Sequence, residues 1–132
     1  MPFRELEHSA DRCLRVWARD LPALFSEAAR GMIALAGMLS APAPRLRRQF
    51  ETSAPDAESL LVAFLAELLY AAEHEKQVYH AFRFLRLEPG LQVEMEGSPL
   101  VSIRTSIKAV TYHNLQIRKT RAGWRVDLVF DV

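Results

Sequence analysis

The sequence predicts an α+β fold, a two-layer domain in which two main helices pack on a largely antiparallel sheet. Three observations carry this expectation. Helical periodicity is confined to two early stretches, 21–37 and 57–75, while most strand-like stretches come later. Short turn signals, Pro89-Gly90 and Arg121-Ala122-Gly123, join consecutive strands in the manner of hairpins. The chain has 132 residues, enough for one core and too few for two ordinary domains, so residues 1–132 form a single domain.

In order along the chain, a short strand is expected around residues 3–7 and a second over 12–18, "RCLRVWA". Asp20 is placed to cap a helix that tolerates Pro22 in its first turn. Leu21, Leu24, Phe25, Ala28, Met32 and Ala36 then recur at helical spacing. "SAPAP" at 40–44 reads as a rigid turn. Residues 45–53, "RLRRQFETS", alternate Leu46 and Phe50 with basic neighbours, the pattern of an exposed strand. Asp56 caps the second helix, whose Leu60, Leu61, Phe64, Leu65, Leu68 and Leu69 make a stripe wide enough for deep burial. Strands are expected at 78–88, 91–97, 108–120 and 124–132. In the last, alternation sends Val126, Leu128 and Phe130 to one face and Asp127 and Asp131 to the other, with Val132 on the buried side.

Composition narrows the function classes. Half of the residues are hydrophobic and a quarter charged, the make-up of a globular protein. Seventeen Lys and Arg against sixteen Asp and Glu leave a net charge of +1, which gives no global electrostatic case for nucleic acid. One cysteine, Cys13, excludes an internal disulfide and a multi-cysteine metal site, and reads as a small core residue. Residues 1–10 lack the apolar run of a signal peptide, and "LLVAFLAELLYAA" contains Glu67 and is too short to span a bilayer. A cytoplasmic monomer without membrane contact is expected.

Three constellations carry possible chemistry. "HSAD", His8 to Asp11, falls between two strands, where polar residues form either a turn or a site. Asp131 stands beside the Val132 carboxylate, and such oxygen ligands suit a hard cation to which Asp11 can add a third carboxylate. "IKAVTYHNLQI", residues 107–117, offers His113 as a general base or a hydrogen-bonded structural residue, Tyr112 as a packed ring, and Lys108 as a strand-end lysine. His74 and His80 flank a helix end and read as surface residues; "RLRRQF" reads as a solvated basic strand. No phosphate-binding glycine loop, H-E-x-x-H or G-x-S-x-G signature occurs.

"EHSAD", "LLVAFLAELLYAAEHE", "IKAVTYHNLQI" and "GW" followed by "VFDV" stand in an order and spacing that resemble the archease family over nearly the whole chain. The resemblance implies an archease-like fold and a non-enzymatic accessory protein of the RtcB-type RNA ligase of tRNA splicing and RNA repair. That ligase joins a 2′,3′-cyclic phosphate or 3′-phosphate end to a 5′-hydroxyl with GTP and Mn²⁺. The accessory protein would promote guanylylation of the ligase and its multiple turnover, meeting GTP and RNA only through the ligase. The family's divalent-cation site matches Asp11, Asp131 and Val132, with Ca²⁺ the first expectation and Mg²⁺ or Mn²⁺ the alternatives. Lys108 matches a family lysine tied to activation, and His8 and His113 lie in the matching motifs. Two other readings compete: a small divalent-metal-dependent hydrolase using the same carboxylates, and an RNA-binding chaperone.

Overall fold

A computed structural model describes residues 2–6 and 11–132 of the chain. His8 lies outside the described residues. Strand β1 (Phe3–Leu6) and strand β2 (Arg12–Ala18) lead into helix α1 (Leu21–Ala36). Asp20 holds the helix start, its side chain accepting from the Ala23 amide at 2.8 Å. The helix stops at Gly37, whose φ of 63° suits glycine. There the Gly37 and Met38 amides donate to the Ala34 and Ile33 carbonyls, satisfying groups the helix end leaves open. A short strand β3 (Leu39–Ser40) and strand β4 (Leu46–Thr52) precede helix α2 (Ala57–His74), which Asp56 caps by accepting from the Ser59 amide at 2.7 Å. Strands β5 (Gln77–Leu87) and β6 (Leu91–Ser102) form the long hairpin expected around Pro89-Gly90. Strands β7 (Ala109–Val110), β8 (Arg118–Thr120) and β9 (Gly123–Asp131) complete the chain.

The α+β expectation holds, with helices packed against antiparallel strands, and the strands divide between two sheets. One runs β1-β2-β9-β7, with β8 also on β9; the other runs β3-β6-β4, with β5 also on β6. Helix α1 packs against β1, β2 and β9 of the first sheet and against β5 of the second, and so ties the two together. Phe25 of α1, Phe64 of α2 and Phe84 of β5 meet at the centre, with ring centroids 5.6–6.0 Å apart. Such aromatic pairs add about 0.5–1.5 kcal/mol each beyond their burial. No helix among the described residues is long and apolar enough to cross a membrane.

Four expectations need correction. The strand anticipated over 108–120 is broken into β7 and β8, and the chain between them turns away from the sheet. Asn114 adopts a φ of 51°, a left-handed conformation that asparagine tolerates better than most residues, and the Leu115 amide closes a turn onto the Tyr112 carbonyl. Apolar-polar alternation over these residues therefore reflects a loop whose Leu115 and Ile117 dip against the core, not a ladder. Tyr112, expected to be packed, is 60% exposed for the same reason. Val132, expected on the buried side with Phe130, is 36% exposed, because β9 ends at Asp131 and the pleat no longer governs the last residue. Strand β6 also runs past residue 97 to Ser102; Pro99 has no N–H to give, but its carbonyl accepts from Ala41.

Gly97 sits in the middle of β6, between Leu46 of β4 and Tyr79 of β5. The register shifts between Tyr79 and Ala81, and this bulge brings the β5 backbone so close that a Cβ on Gly97 would stand 1.8 Å from the Val78 carbonyl oxygen. Backbone cannot yield as a side-chain tip can. Gly97→Ala should destabilise the domain by about 3 kcal/mol, read as a lowered midpoint of urea unfolding. A midpoint equal to that of the unsubstituted protein would contradict this account of the bulge.

Candidate functional site

Strand β9 forms the site because three segments hydrogen-bond to it. Its core-facing residues, Val126, Leu128 and Phe130, are at most 1% exposed, which fixes the register, since a one-residue slip would turn charge inward. Arg12 pairs with Phe130 at the end of the β2–β9 ladder. Asp11 immediately precedes β2 and Asp131 is the last residue of β9, so the ladder places both at one end of the sheet. On the other edge Ala109 pairs with Asp131, and the Lys108 amide donates to the Asp131 carbonyl at 2.7 Å. Asp131 and Lys108 are exposed and Asp11 half-buried. Asp11, Asp131 and Lys108, which lie far apart in sequence, are thus gathered around one strand end, with Val132 next in the chain.

Side-chain donors at this end are two carboxylates, and oxygen donors of that kind would suit a hard cation rather than a soft one. Among the described residues no group of three or more His, Cys, Asp and Glu side chains is placed to hold a metal. Two side-chain carboxylates would therefore need further oxygen ligands to hold one. His113 is not part of this cluster by its contacts: its amide donates to Thr111 Oγ1 at 3.3 Å and its ring Nε2 lies 3.3 Å from Asn114 Nδ2.

The loop that carries His113 is pinned at its far end, where the Ile117 amide donates to the carboxylate of Glu58 at 3.0 Å. Glu58 lies in the first turn of α2, where its charge also favours the helix dipole. Beneath the loop, on the outer face of the β2–β9 pair, opens a cleft of about 600 Å³ lined by Cys13, His113, Asn114, Gln116, Arg118, Arg125 and Asp127 among others. Asp127 takes a bidentate contact from Arg15, Nε to Oδ1 at 2.9 Å and Nη2 to Oδ2 at 3.0 Å. The Arg15 guanidinium holds the Asp127 carboxyl below its usual range against the opposing effect of burial, and Arg125 and Arg118 add to the lowering. Burial pushes the Cys13 thiol up, and the Asp127 charge adds to this, which suits an inert cysteine, buried on the outer face of β2 rather than in the central core.

Sequence reasoning named Asp11, Asp131 and Lys108 but passed over Arg15, Arg118 and Arg125. A signal for the last two existed: a two-residue turn at Arg121-Ala122 forces Arg118 opposite Arg125. The basic strand at 45–50 behaves as expected of a surface strand, with its arginines neutralised. Arg47 meets Glu96 at 3.2 Å, and Arg48 meets both Glu67 and Glu75.

Comparison with known proteins decides the family. The model of the archease protein family matches residues 3–132. The chain belongs to the archease family. It is 32% identical over 140 residues to the protein archease of Methanopyrus kandleri, covering all of both chains. It is 34% identical over 139 residues to that of Methanosarcina barkeri, covering 98% of this chain and 95% of the relative. Its fold is similar to the solution structure of Methanobacterium thermoautotrophicum protein 1598, with a TM-score of 0.74 at 21% identity over 99% of each chain. It is also similar to the Thermotoga maritima crystal structure described as an archease, possible chaperone, with a TM-score of 0.75 at 16% identity over 98% of this chain and 96% of that one. The family match leaves only residues 1 and 2 outside it.

The Arg15–Asp127 pair has a pH signature. Because the Asp127 pKa is lowered in the folded state, its contribution is present above the unfolded value near 3.8 and is lost as pH falls through the lower folded value. Asp127→Asn should cost about 1 kcal/mol at pH 7, modest because the pair is partly solvated. It should also flatten the acid limb of stability below about pH 4. Denaturant midpoints measured from pH 7 to pH 2 for both proteins check this, and parallel curves would refute it.

Proposed function

We propose that this archease is a non-enzymatic, cytoplasmic accessory protein that promotes guanylylation and multiple turnover of an RtcB-type RNA ligase in tRNA splicing and RNA repair. The observation that carries the reading is the gathering of Asp11, Asp131 and Lys108 at one exposed sheet end, positions that match the motifs implied by the family resemblance. Asp11 and Asp131 supply anionic oxygens for a divalent cation, Ca²⁺ first, with the Val132 carboxylate as a third ligand. The cation would supply positive charge at a surface the ligase meets. Lys108 has its amide tied to the Asp131 carbonyl, which fixes its backbone at this sheet end, and its ammonium would contact the ligase or its nucleotide. His8 and His113 share these motifs and receive no chemical role. The hydrolase reading needs a group that activates water beside the carboxylates, and His113 makes its contacts with Thr111 and Asn114 instead.

Asp11→Ala, Asp131→Ala and Lys108→Ala should each leave the fold intact, with stability changed by about 0.5 kcal/mol or less as is usual for surface positions. Each should lower stimulation of ligase guanylylation and of product formed beyond the first turnover when the ligase is limiting. Ca²⁺ should raise the melting temperature of the unsubstituted protein and fail to raise that of Asp11→Ala. Full stimulation by all three variants would sink the site assignment, and metal-dependent RNA cleavage by this protein alone would favour a hydrolase. An extension after Val132 converts its carboxylate to an amide and should weaken both the Ca²⁺ response and ligase stimulation while folding is retained; unchanged responses would remove Val132 from the ligand set.

A further inference from the structure

The outer face of the five-stranded sheet concentrates positive charge in a way packing does not require. Arg118 of β8 and Arg125 of β9 are direct cross-strand partners, and so are Arg4 of β1 and Arg15 of β2. Like charges directly opposite each other in a ladder are destabilising. Asp127 is the carboxylate between them, and it is already engaged by Arg15 through both oxygens. Among the described residues neither Arg118 nor Arg125 has a salt-bridge partner, whereas Arg12, Arg30, Arg47, Arg48, Arg83 and Arg86 each have one. Both line the cleft of about 600 Å³, with His113, Asn114 and Gln116 contributed by the overlying loop.

We propose that this cleft binds the phosphate of a nucleotide, with Arg118 and Arg125 as the charged clamp. Two adjacent guanidiniums present planar donor pairs that match phosphate oxygens, and an anion between them turns a repulsive pair into a bridged one. The volume admits a ligand larger than a bare ion. It falls in the range of about 300–1,000 Å³ that holds small organic molecules, well beyond what inorganic phosphate fills. A surface for the base is also at hand. Trp17 is the cross-strand partner of Arg125 on the β2 side, so it shares that face of the sheet, and it is 39% exposed. Base stacking on such a ring is tolerant of sequence. Along β9, Asp131 stands six positions beyond Arg125, about 20 Å of strand. The clamp is therefore distinct from the carboxylate end, and the inference stands whether or not the ligase reading does.

The test is calorimetric titration of the purified chain with GMP and AMP, with guanosine and inorganic phosphate as comparison ligands, at constant ionic strength. Both nucleotides should bind, guanosine should not, and inorganic phosphate should bind more weakly than either. The double variant Arg118→Gln, Arg125→Gln should weaken nucleotide binding about tenfold or more, since charge-assisted contacts run about twice as strong as neutral ones. Should the double variant fail to fold by circular dichroism, Arg118→Lys keeps the charge, loses the planar fork and should still weaken binding. Arg83→Gln on the other sheet should change nothing. Nucleotide binding should quench Trp17 fluorescence, read as the part of the quench abolished by Trp17→Phe. Equal binding of guanosine and GMP, absence of nucleotide binding, or wild-type affinity in a folded clamp variant would overturn the proposal. Inorganic phosphate binding as tightly as GMP would overturn the nucleotide assignment.

Discussion

Strand β9 pairs with β2 over seven residues, from Arg12↔Phe130 to Ala18↔Trp124, and carries β7 and β8 on its other edge. That double pairing sets the position of nearly everything else. It buries Val126, Leu128 and Phe130 against the helices and so turns Arg125, Asp127 and Asp131 outward. Helix α1 then packs across β2, and its aromatic contact with α2 and β5 brings the second sheet into the same core. The charged face of the molecule is thus a by-product of how its apolar face is buried. Polar chemistry here is held in place by hydrophobic register, because shifting the strand by one residue would cost the burial of three large side chains.

The outward row along β9 is ordered by charge. Arg125 stands at one end, Asp127 in the middle bound to Arg15, and Asp131 at the other end, where the ladder closes on Arg12↔Phe130. A near-neutral chain therefore has a strongly polarised face. Opposite charges separated by about 20 Å of strand lie beyond the Debye length of about 8 Å at physiological salt, so each end presents its own field to an approaching molecule. The Arg15–Asp127 pair between them acts as a local neutral divider. The covering loop is fixed at one end by β7 and at the other by Glu58, so its position follows from α2 as well as from the sheet.

Much of this was legible in the residues, for particular physical reasons. Both helices could be placed because their starts are written as Asp20 and Asp56 and their periodicity is long. The hairpin of β5 and β6 could be placed because Pro89-Gly90 admits few alternatives. The segment after Lys108 misled because alternation arises in any chain that dips repeatedly toward a core, and a single left-handed residue, Asn114, is invisible to a period count. Motif types pointed to Asp11 and Asp131 and the family resemblance to Lys108, but only long-range register places segments so distant in sequence at one end of β9. The arginine clamp was overlooked because net charge averages over the whole chain, whereas a cross-strand pair concentrates charge at one point.

The strand edges have a further consequence. In the first sheet the outer strands are short, four residues in β1, two in β7 and three in β8. In the second, β4 carries Arg47, Arg48 and Glu51 along its length, and β5 is bent by two register shifts and bears Arg83 and Arg86. Each device spoils the flat run of unpaired N–H and C=O groups on which a foreign strand would grow. Two sheets with such edges can face solvent without inviting edge-to-edge polymerisation with copies of the same chain.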